Sequence, residues 1–157
     1  MAEALTQAIK VELAQLDLLL TTYTSLIDRV EQQSPDVVEL AALATVLHSY
    51  YNGIESIFLA VARLIDGQAP QRNRWRRELL AQVARPTTTR PALLSSSLET
   101  CLTAYLAFRH YFRHSYAFTI DWARLEPLVR ELRPVHAMFR EEIEVFLNFL
   151  TRRTDES

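Results

Sequence analysis

Glycine, proline and cysteine are scarce in this chain. The first two shortages argue against hairpin turns, and the third excludes an intrachain disulfide. Its 157 residues include two glycines, six prolines and one cysteine. Few glycines and prolines leave few places for hairpin turns, and leucine and alanine are abundant, so we expect an all-helical protein without a sheet. The single cysteine, Cys101, cannot form an intrachain disulfide, which fits a reducing cytosol.

Long apolar runs are missing too. No stretch reaches the length that spans a bilayer, and the first residues lack the basic segment and apolar run of a signal peptide. We therefore expect a cytoplasmic protein that is neither exported nor inserted in a membrane. With 49% hydrophobic residues the chain can bury a sizeable core, and we expect residues 1–157 to form one domain.

Charge is unevenly distributed along the chain. The formal net charge is −2, which at face value argues against a surface that binds polyanions. Residues 61–120, however, hold nine basic and three acidic side chains, whereas residues 1–60 hold two basic and eight acidic ones. This local excess of positive charge, rather than the total, decides whether a phosphate backbone is attracted.

Apolar residues recur at steps of three and four in four long segments, as in amphipathic helices. The second segment has the widest apolar face and is predicted to be the central helix. We predict an up-down helical bundle of four long helices plus a short helix. The long helices are expected over residues 2–33 and 35–65, from residue 96 into the stretch 109–116, and over residues 122–152; the short helix is expected over residues 75–83.

Capping residues mark where three of these helices begin. Ser34 followed by Pro35 predicts the start of the second helix. Ser96 and Glu99 have the spacing of a capping box before the third helix. Asp121 is a good N-cap for the fourth long helix.

Three residues of the second helix need an explanation. Glycine inside a helix costs about 1 kcal/mol relative to alanine, so Gly53 predicts close approach by another backbone. Glu55 is a carboxylate among apolar residues, and it either faces solvent or pairs with an arginine of the stretch 109–116. His48 is expected to be a partnered structural histidine, since no second histidine or cysteine lies at metal-ligand spacing nearby.

The stretch 109–116, Arg-His-Tyr-Phe-Arg-His-Ser-Tyr, holds two arginines, two histidines and two tyrosines in eight residues. Arginine binds phosphate oxygens through two parallel hydrogen bonds, and histidine transfers protons near neutral pH. Together they suit phosphodiester cleavage. The alternative is a structural helix end, since cations suit the negative end of a helix and aromatic rings cover apolar surface.

Helix geometry constrains how these side chains meet. In an unbroken helix His110 and His114 lie one above the other, as do Arg109 and Arg113. His114 would then stand about 140° around the axis from Arg109. For both to share one phosphate, the helix must loosen after Phe112, or a partner must come from another chain.

A second basic cluster, Arg72, Arg74, Arg76 and Arg77, flanks Trp75. Such a cluster is suited to lie along a nucleic-acid backbone, with Trp75 as a stacking platform. The alternative is a solvated face with Trp75 anchored in the core.

The pattern R-x-x-x-x-H-x-Y, matched by Arg109, His114 and Tyr116, resembles the signature of the HepT-like toxins in the HEPN superfamily of small helical-bundle proteins. A polar residue, His110, directly follows the arginine, and the pattern lies between the third and fourth long helices. The likeness includes the segments 50–58, 75–80 and 112–116 and covers about residues 40–150.

This resemblance implies a metal-independent endoribonuclease without a cofactor, the toxin of a toxin–antitoxin pair. It implies RNA rather than DNA as substrate, with transfer RNA as the expected target. It also implies a homodimer whose two motifs meet in one composite site. The antitoxin would be a minimal nucleotidyltransferase (MNT), which silences the toxin by AMPylation, the transfer of AMP onto Tyr116.

Roles for single residues follow from the resemblance and from the chemistry of metal-free cleavage. Such cleavage needs a base, an acid and positive charge on the phosphorane. Each chain offers His114 as base or acid and Arg109 for the charge, and two chains offer both twice. Within one chain His110 is an alternative second proton carrier, but its predicted role is to orient or bind the substrate phosphate. Arg113 would add a phosphate contact, and Glu55 would orient Arg109. Candidate RNA contacts are Arg74, Arg76 and Arg77.

Two other functions stay open on the sequence alone. In the first, the chain is a non-catalytic nucleotide- or substrate-binding partner of a nucleotidyltransferase, and Arg109 and His114 bind nucleotide phosphates without cleavage. In the second, the chain is a purely structural bundle in which the motif caps a helix.

Overall fold

Residues 2–156, which the computed structural model describes, fold as a helical bundle with no strand among them, so the predicted all-α class is confirmed. In this described part of the chain, none of the helices combines the length and the apolar character that crossing a bilayer requires. A π-helical turn, Ala62–Asp66, extends the third helix, and a 3-10 turn, Ala117–Thr119, precedes the last. The α-helices are α1 (Ala2–Thr22), α2 (Thr24–Val30), α3 (Val37–Val61), α4 (Trp75–Val83), α5 (Ser96–Arg113) and α6 (Trp122–Glu156).

The first predicted helix is divided in two at Tyr23, whose φ of −104° and ψ of 12° depart from regular helix. Threonines lie on both sides of the break. Thr22 donates its hydroxyl to the carbonyl of Leu18, and Thr24 donates to that of Leu20. Such bonds to the carbonyl four residues back favour bending, but Thr45 and Thr103 make the same bond within the unbroken α3 and α5. The apolar periodicity did not predict this break.

Two of the three predicted helix starts are shifted along the chain. The N-cap of α3 is Asp36 rather than Ser34, because Asp36 and Glu39 form a complete capping box. The N-cap of α5 is Ser95 rather than Ser96. The hydroxyl oxygen of Ser95 accepts from the backbone N–H of Leu98 at 3.2 Å, and the hydroxyl itself donates to Glu142 of α6, a contact that the local capping pattern does not include. Asp121 caps α6 as predicted, since its Oδ1 accepts from the backbone N–H of Ala123 at 3.1 Å.

The central position of α3 is confirmed, since it packs against α1, α4, α5 and α6. Buried side chains of all six helices form one hydrophobic cluster around it. The close approach at Gly53 comes from a side chain rather than from a backbone. A Cβ on Gly53 would stand 2.6 Å from Cδ2 of Leu16 in α1.

A buried ion pair fixes the segment between α4 and α5. Arg90 donates from Nε and Nη2 to the two carboxylate oxygens of Asp66, at 2.7 and 2.8 Å. It also donates to the carbonyls of Gln82, Arg85 and Pro91. Because Asp66 ends the helical run of α3 and Gln82 lies in α4, this network holds α4 against α3.

Candidate active site

A cleft of about 570 Å³ lies between the start of α4 and the C-terminal half of α5. From α4 and the residue before it come Arg74, Trp75, Arg76 and Arg77. From α5 and its end come Arg109, His110, Arg113 and His114. The fold therefore brings three of the four arginines of the second basic cluster to the stretch 109–116, although the two lie more than thirty residues apart in the chain. The fourth, Arg72, lines a different cavity.

Arg109 is buried at the wall of this cleft, with 8% of its surface exposed. Its Nε donates to Oδ1 of Asn52 in α3 at 3.1 Å. Burial, and then the neighbouring charge of Arg76, lower its pKa, yet a guanidinium stays protonated in proteins. Arg109 is thus a permanent cation whose orientation α3 fixes.

The two histidines of the motif lie beside each other. The rings of His110 and His114 are 4.5 Å apart between centroids, as their spacing of four residues predicts. Regular helix ends at Arg113, and His114 has a φ of −107° and a ψ of 13°. The helix therefore loosens one residue beyond the predicted point, and Arg109 and His114 line the same cleft within one chain.

Glu55 neither faces solvent nor hydrogen-bonds an arginine of the stretch 109–116. It is 6% exposed, and its Oε1 accepts from Nε of Arg76 in α4 at 3.2 Å. Its Oε2 is buried without a hydrogen-bond partner among residues 2–156. Burial raises the pKa of this carboxyl against the lowering effect of Arg76 and Arg109. The hydrogen-bond partner of Arg109 is thus Asn52 rather than the predicted Glu55, because the packing of α4 on α3 brings Arg76 to the carboxylate.

The arginines near Trp75 differ in how far they are buried and in whether their side chains are bonded. Arg76 is half-buried, bonded to Glu55, and stacked with its guanidinium carbon 4.1 Å from the centre of the Trp75 ring. Trp75 itself packs against the hydrophobic core, so it is anchored there rather than free. Arg74 and Arg77 are exposed, and within the described residues neither guanidinium has a hydrogen-bond or ion-pair partner.

Arg74 also has an uncommon backbone conformation. Its φ of 68° lies in the left-handed region, and it is the one residue other than glycine with a positive φ among residues 2–156. It precedes α4 directly and provides no side-chain cap to that helix. The side chain is therefore held at the mouth of the cleft by a turn that glycine would adopt with less strain.

His48 and Asn52 are the site residues that the sequence reasoning missed. The expectation of a partnered His48 is wrong at one nitrogen, since its Nδ1 is buried with no hydrogen-bond partner among residues 2–156. Its ring lies 4.9 Å from that of Phe112, and burial, followed by the charges of Arg109 and Arg113, lowers its pKa. The available signal was that polar residues recur at 48, 52 and 55, one helical turn apart on the largely buried α3.

Tyr116 lies outside the cleft. It lies three residues beyond the end of α5, is 75% exposed, and stacks on Phe118 with 5.6 Å between ring centroids and 18° between planes. A phenol this accessible can be reached by another protein without unfolding.

Comparison with protein-family models matches residues 42–150 to a family described as HepT-like protein. Searches among curated proteins and among solved structures gave no match. The matched region includes most of α3, all of α4 and α5, and therefore every residue that lines the cleft.

Proposed function

Because the chain belongs to the HepT-like family, we propose that it is the toxin of a toxin–antitoxin pair and acts as a metal-independent endoribonuclease. Family membership by itself indicates a HEPN-type toxin–antitoxin component. The observation that carries the finer proposal is that Arg109, held by Asn52, lines the same cleft as His110 and His114. The substrate is RNA, with transfer RNA as the expected target, and the compartment is the cytoplasm.

In the proposed reaction His114 removes the proton of the ribose 2′-hydroxyl, and the 2′-oxygen forms a bond to phosphorus. Arg109 stabilises the negative charge on the phosphorane oxygens. The bond from phosphorus to the 5′-oxygen then breaks, and that oxygen leaves with a proton from a second imidazole. The products are a 2′,3′-cyclic phosphate and a 5′-hydroxyl, and no group besides the protein side chains is needed for the proton balance.

A homodimer supplies the second imidazole in this proposal, because two motifs that meet in one site provide His114 twice. His110 lies against His114 and orients it or binds phosphate. Arg113 is exposed at the cleft and adds a phosphate contact. The cluster Arg74, Arg76 and Arg77 extends the positive charge of the cleft and attracts the RNA backbone.

The proposed antitoxin is a minimal nucleotidyltransferase that transfers AMP from ATP onto the phenol oxygen of Tyr116 and releases diphosphate. The exposure of Tyr116, together with its position three residues beyond the motif helix, supports this assignment. The added phosphate places a negative charge near the arginines of the motif, where it competes with substrate phosphate.

The second candidate function is a non-catalytic partner of a nucleotidyltransferase. The same cationic cleft would hold nucleotide phosphates, and the RNA would stay intact. The two functions differ in one observable, the appearance of new RNA ends.

The ribonuclease proposal is tested with purified protein and transfer RNA in the presence of chelator. We expect cleavage, and we expect Arg109→Ala or His114→Ala to lower its rate by about two to four orders of magnitude. A matched control is Arg130→Ala, which removes one exposed arginine of α6 outside the cleft and should leave the rate unchanged. Circular dichroism shows whether the variants fold. Full cleavage by both folded cleft variants would end the catalytic assignment, and binding without cleavage by the wild type would favour the second function.

A further inference from the structure

On the α4 side of the cleft, the guanidinium groups of Arg74 and Arg77 take part in no contact that stabilises the fold of the described residues. Arg74 and Arg77 are exposed, and in the described part of the chain no carboxylate, carbonyl or amide oxygen accepts a hydrogen bond from either. Arg76 between them is different, because Glu55 and the Trp75 ring already hold its guanidinium. The three neighbouring arginines thus divide into one that fixes α4 to α3 and two that remain available.

The opposite wall already contains a complete phosphate-binding group. Arg109 is held by Asn52, and His110 and His114 stand beside it. A cleft of about 570 Å³ is much larger than one phosphate group requires. Sites of this size, within a range of roughly 300–1,000 Å³, enclose ligands of drug-like size. A ligand that fills the cleft therefore touches both walls.

We propose that Arg74 and Arg77 form a second phosphate subsite, which binds a phosphate of the RNA strand adjacent to the scissile phosphate at Arg109. The ligand class is a single strand with at least two consecutive phosphates, since duplex RNA is recognised across grooves over many base pairs. This inference rests on the proposed function and adds to it the residues that hold the strand in register.

The α4 wall offers charge without base recognition. Trp75 packs against the core and its ring carries Arg76, so it does not serve as a free stacking platform. Binding at this subsite therefore depends on the phosphate backbone, falls steeply with salt, and is insensitive to base sequence.

The experiment uses the full chain and fluorescent 2′-O-methyl RNA hexamers, which lack the 2′-hydroxyl nucleophile and are not cleaved. Dissociation constants are measured between 50 and 300 mM salt for the wild type and for Arg74→Gln and Arg77→Gln. Each substitution should weaken binding about five- to tenfold at low salt and reduce the slope of log affinity against log salt by about 0.7. Two hexamers of different sequence should respond alike.

Two further variants make the test specific. Arg72→Gln removes the same charge from an exposed neighbour that lines a different cavity, next to Arg63 and Gln68, and it should change the affinity less than twofold. Arg74→Gly removes the cation at a position whose backbone suits glycine, so it weakens binding while the fold is kept.

The outcomes separate this inference from the ribonuclease proposal. The subsite would be overturned if Arg72→Gln weakened binding as much as Arg74→Gln and Arg77→Gln do. It would also be overturned if Arg74→Gln and Arg77→Gln left the affinity for the hexamers unchanged. Either result would stand even if unmodified RNA is cleaved. A loss of hexamer affinity that is specific to Arg74→Gln and Arg77→Gln supports the subsite, whether or not unmodified RNA is cleaved. If unmodified RNA stays intact, the ribonuclease proposal is refuted and the subsite is not.

Discussion

At the scale of single residues, the orientation of Arg109 is the feature on which the proposed chemistry depends most. Its Nε is held by Oδ1 of Asn52, and no other hydrogen bond to this guanidinium is seen among residues 2–156. One edge is therefore fixed to α3, while the remaining nitrogens are left for a phosphate. A fixed donor costs no reorganisation when charge develops in the transition state.

We predict that Asn52→Ala lowers the turnover number of RNA cleavage by about ten- to one-hundredfold, because a displaced catalytic group costs rate rather than substrate affinity. KM should change less than the turnover number. Asn52→Gln keeps an uncharged amide acceptor for Nε and should recover part of the loss. The measurement is steady-state cleavage of a labelled RNA by each variant.

Ser56→Ala is the control for this prediction. Ser56 lies one turn beyond Asn52 on the same helix, and its hydroxyl donates only to the carbonyl of Asn52 within the helix. Its loss should leave both kinetic constants unchanged. Wild-type turnover in Asn52→Ala would mean that Asn52 does not position Arg109.

At the scale of elements, α4 is the wall of the cleft, and two ion pairs hold it. Glu55 of α3 accepts from Arg76, the second residue of α4. Asp66 at the end of α3 accepts from Arg90 and from the side chain of Gln82 in α4. The first pair acts at the start of this helix of nine residues, and the second acts near its end through the hydrogen bonds of Gln82, so both ends of α4 are fixed.

We predict that Asp66→Ala lowers the free energy of unfolding at pH 7 by about 3 kcal/mol, because it leaves the guanidinium of Arg90 buried without its counter-ion. Glu99→Ala, which removes the more exposed pair with Arg85 from the same region, should cost less than about 1 kcal/mol. Urea unfolding measures both. If the two substitutions lowered the free energy of unfolding equally, the buried Asp66–Arg90 pair would contribute no more to stability than an exposed ion pair.

The pKa of Asp66 also predicts that the free energy of unfolding depends on pH. Burial raises the pKa of Asp66, but hydrogen bonds from Arg90 and Gln82 outweigh it and hold the pKa below its usual value of 3.8. The unfolded chain then binds more protons than the native one as pH falls through 3.8, so the stabilisation present above that pH is lost. Asp66→Ala should remove this acid-dependent part, and unfolding curves between pH 2.5 and 6 measure it.

At the scale of the whole molecule, the proposed reaction requires two proton carriers, while the chain offers one motif. If two copies meet with their motifs in one composite site, both copies of His114 act on one phosphate. A mixed dimer with one His114→Ala chain would then lack either the acid or the base. Independent sites in each chain would not behave in this way.

We therefore predict that wild-type chains mixed and re-equilibrated with an excess of His114→Ala chains lose activity as the square of the wild-type fraction. With equal amounts, activity per wild-type chain should fall to about half, since half of the wild-type chains then pair with an inactive copy. Titrating the mixing ratio at constant total protein measures this. A strictly linear decline, with constant activity per wild-type chain, would assign one complete site to each chain.

The local features of this protein could be predicted from its sequence. The helical class follows from apolar spacing and from the shortage of glycine and proline, and the contact of His110 with His114 follows from their separation by four residues. Helix boundaries were predicted less accurately, because the capping-box spacing selected Ser96 where Ser95 caps α5, and because the apolar periodicity continues across the break at Tyr23. These features depend on interactions within a few residues, which local patterns describe.

Only the tertiary structure decided which side chains meet around Arg109. Asn52 is 57 residues away from it in the chain, and Glu55 finds Arg76 across 21 residues. The burial of Glu55 and the unpaired nitrogen of His48 likewise arise from the packing of α4 and α5 on α3. The sequence determined the helices and the groups they carry, whereas packing determined the partners, because a partner across the core depends on how whole helices are set against one another.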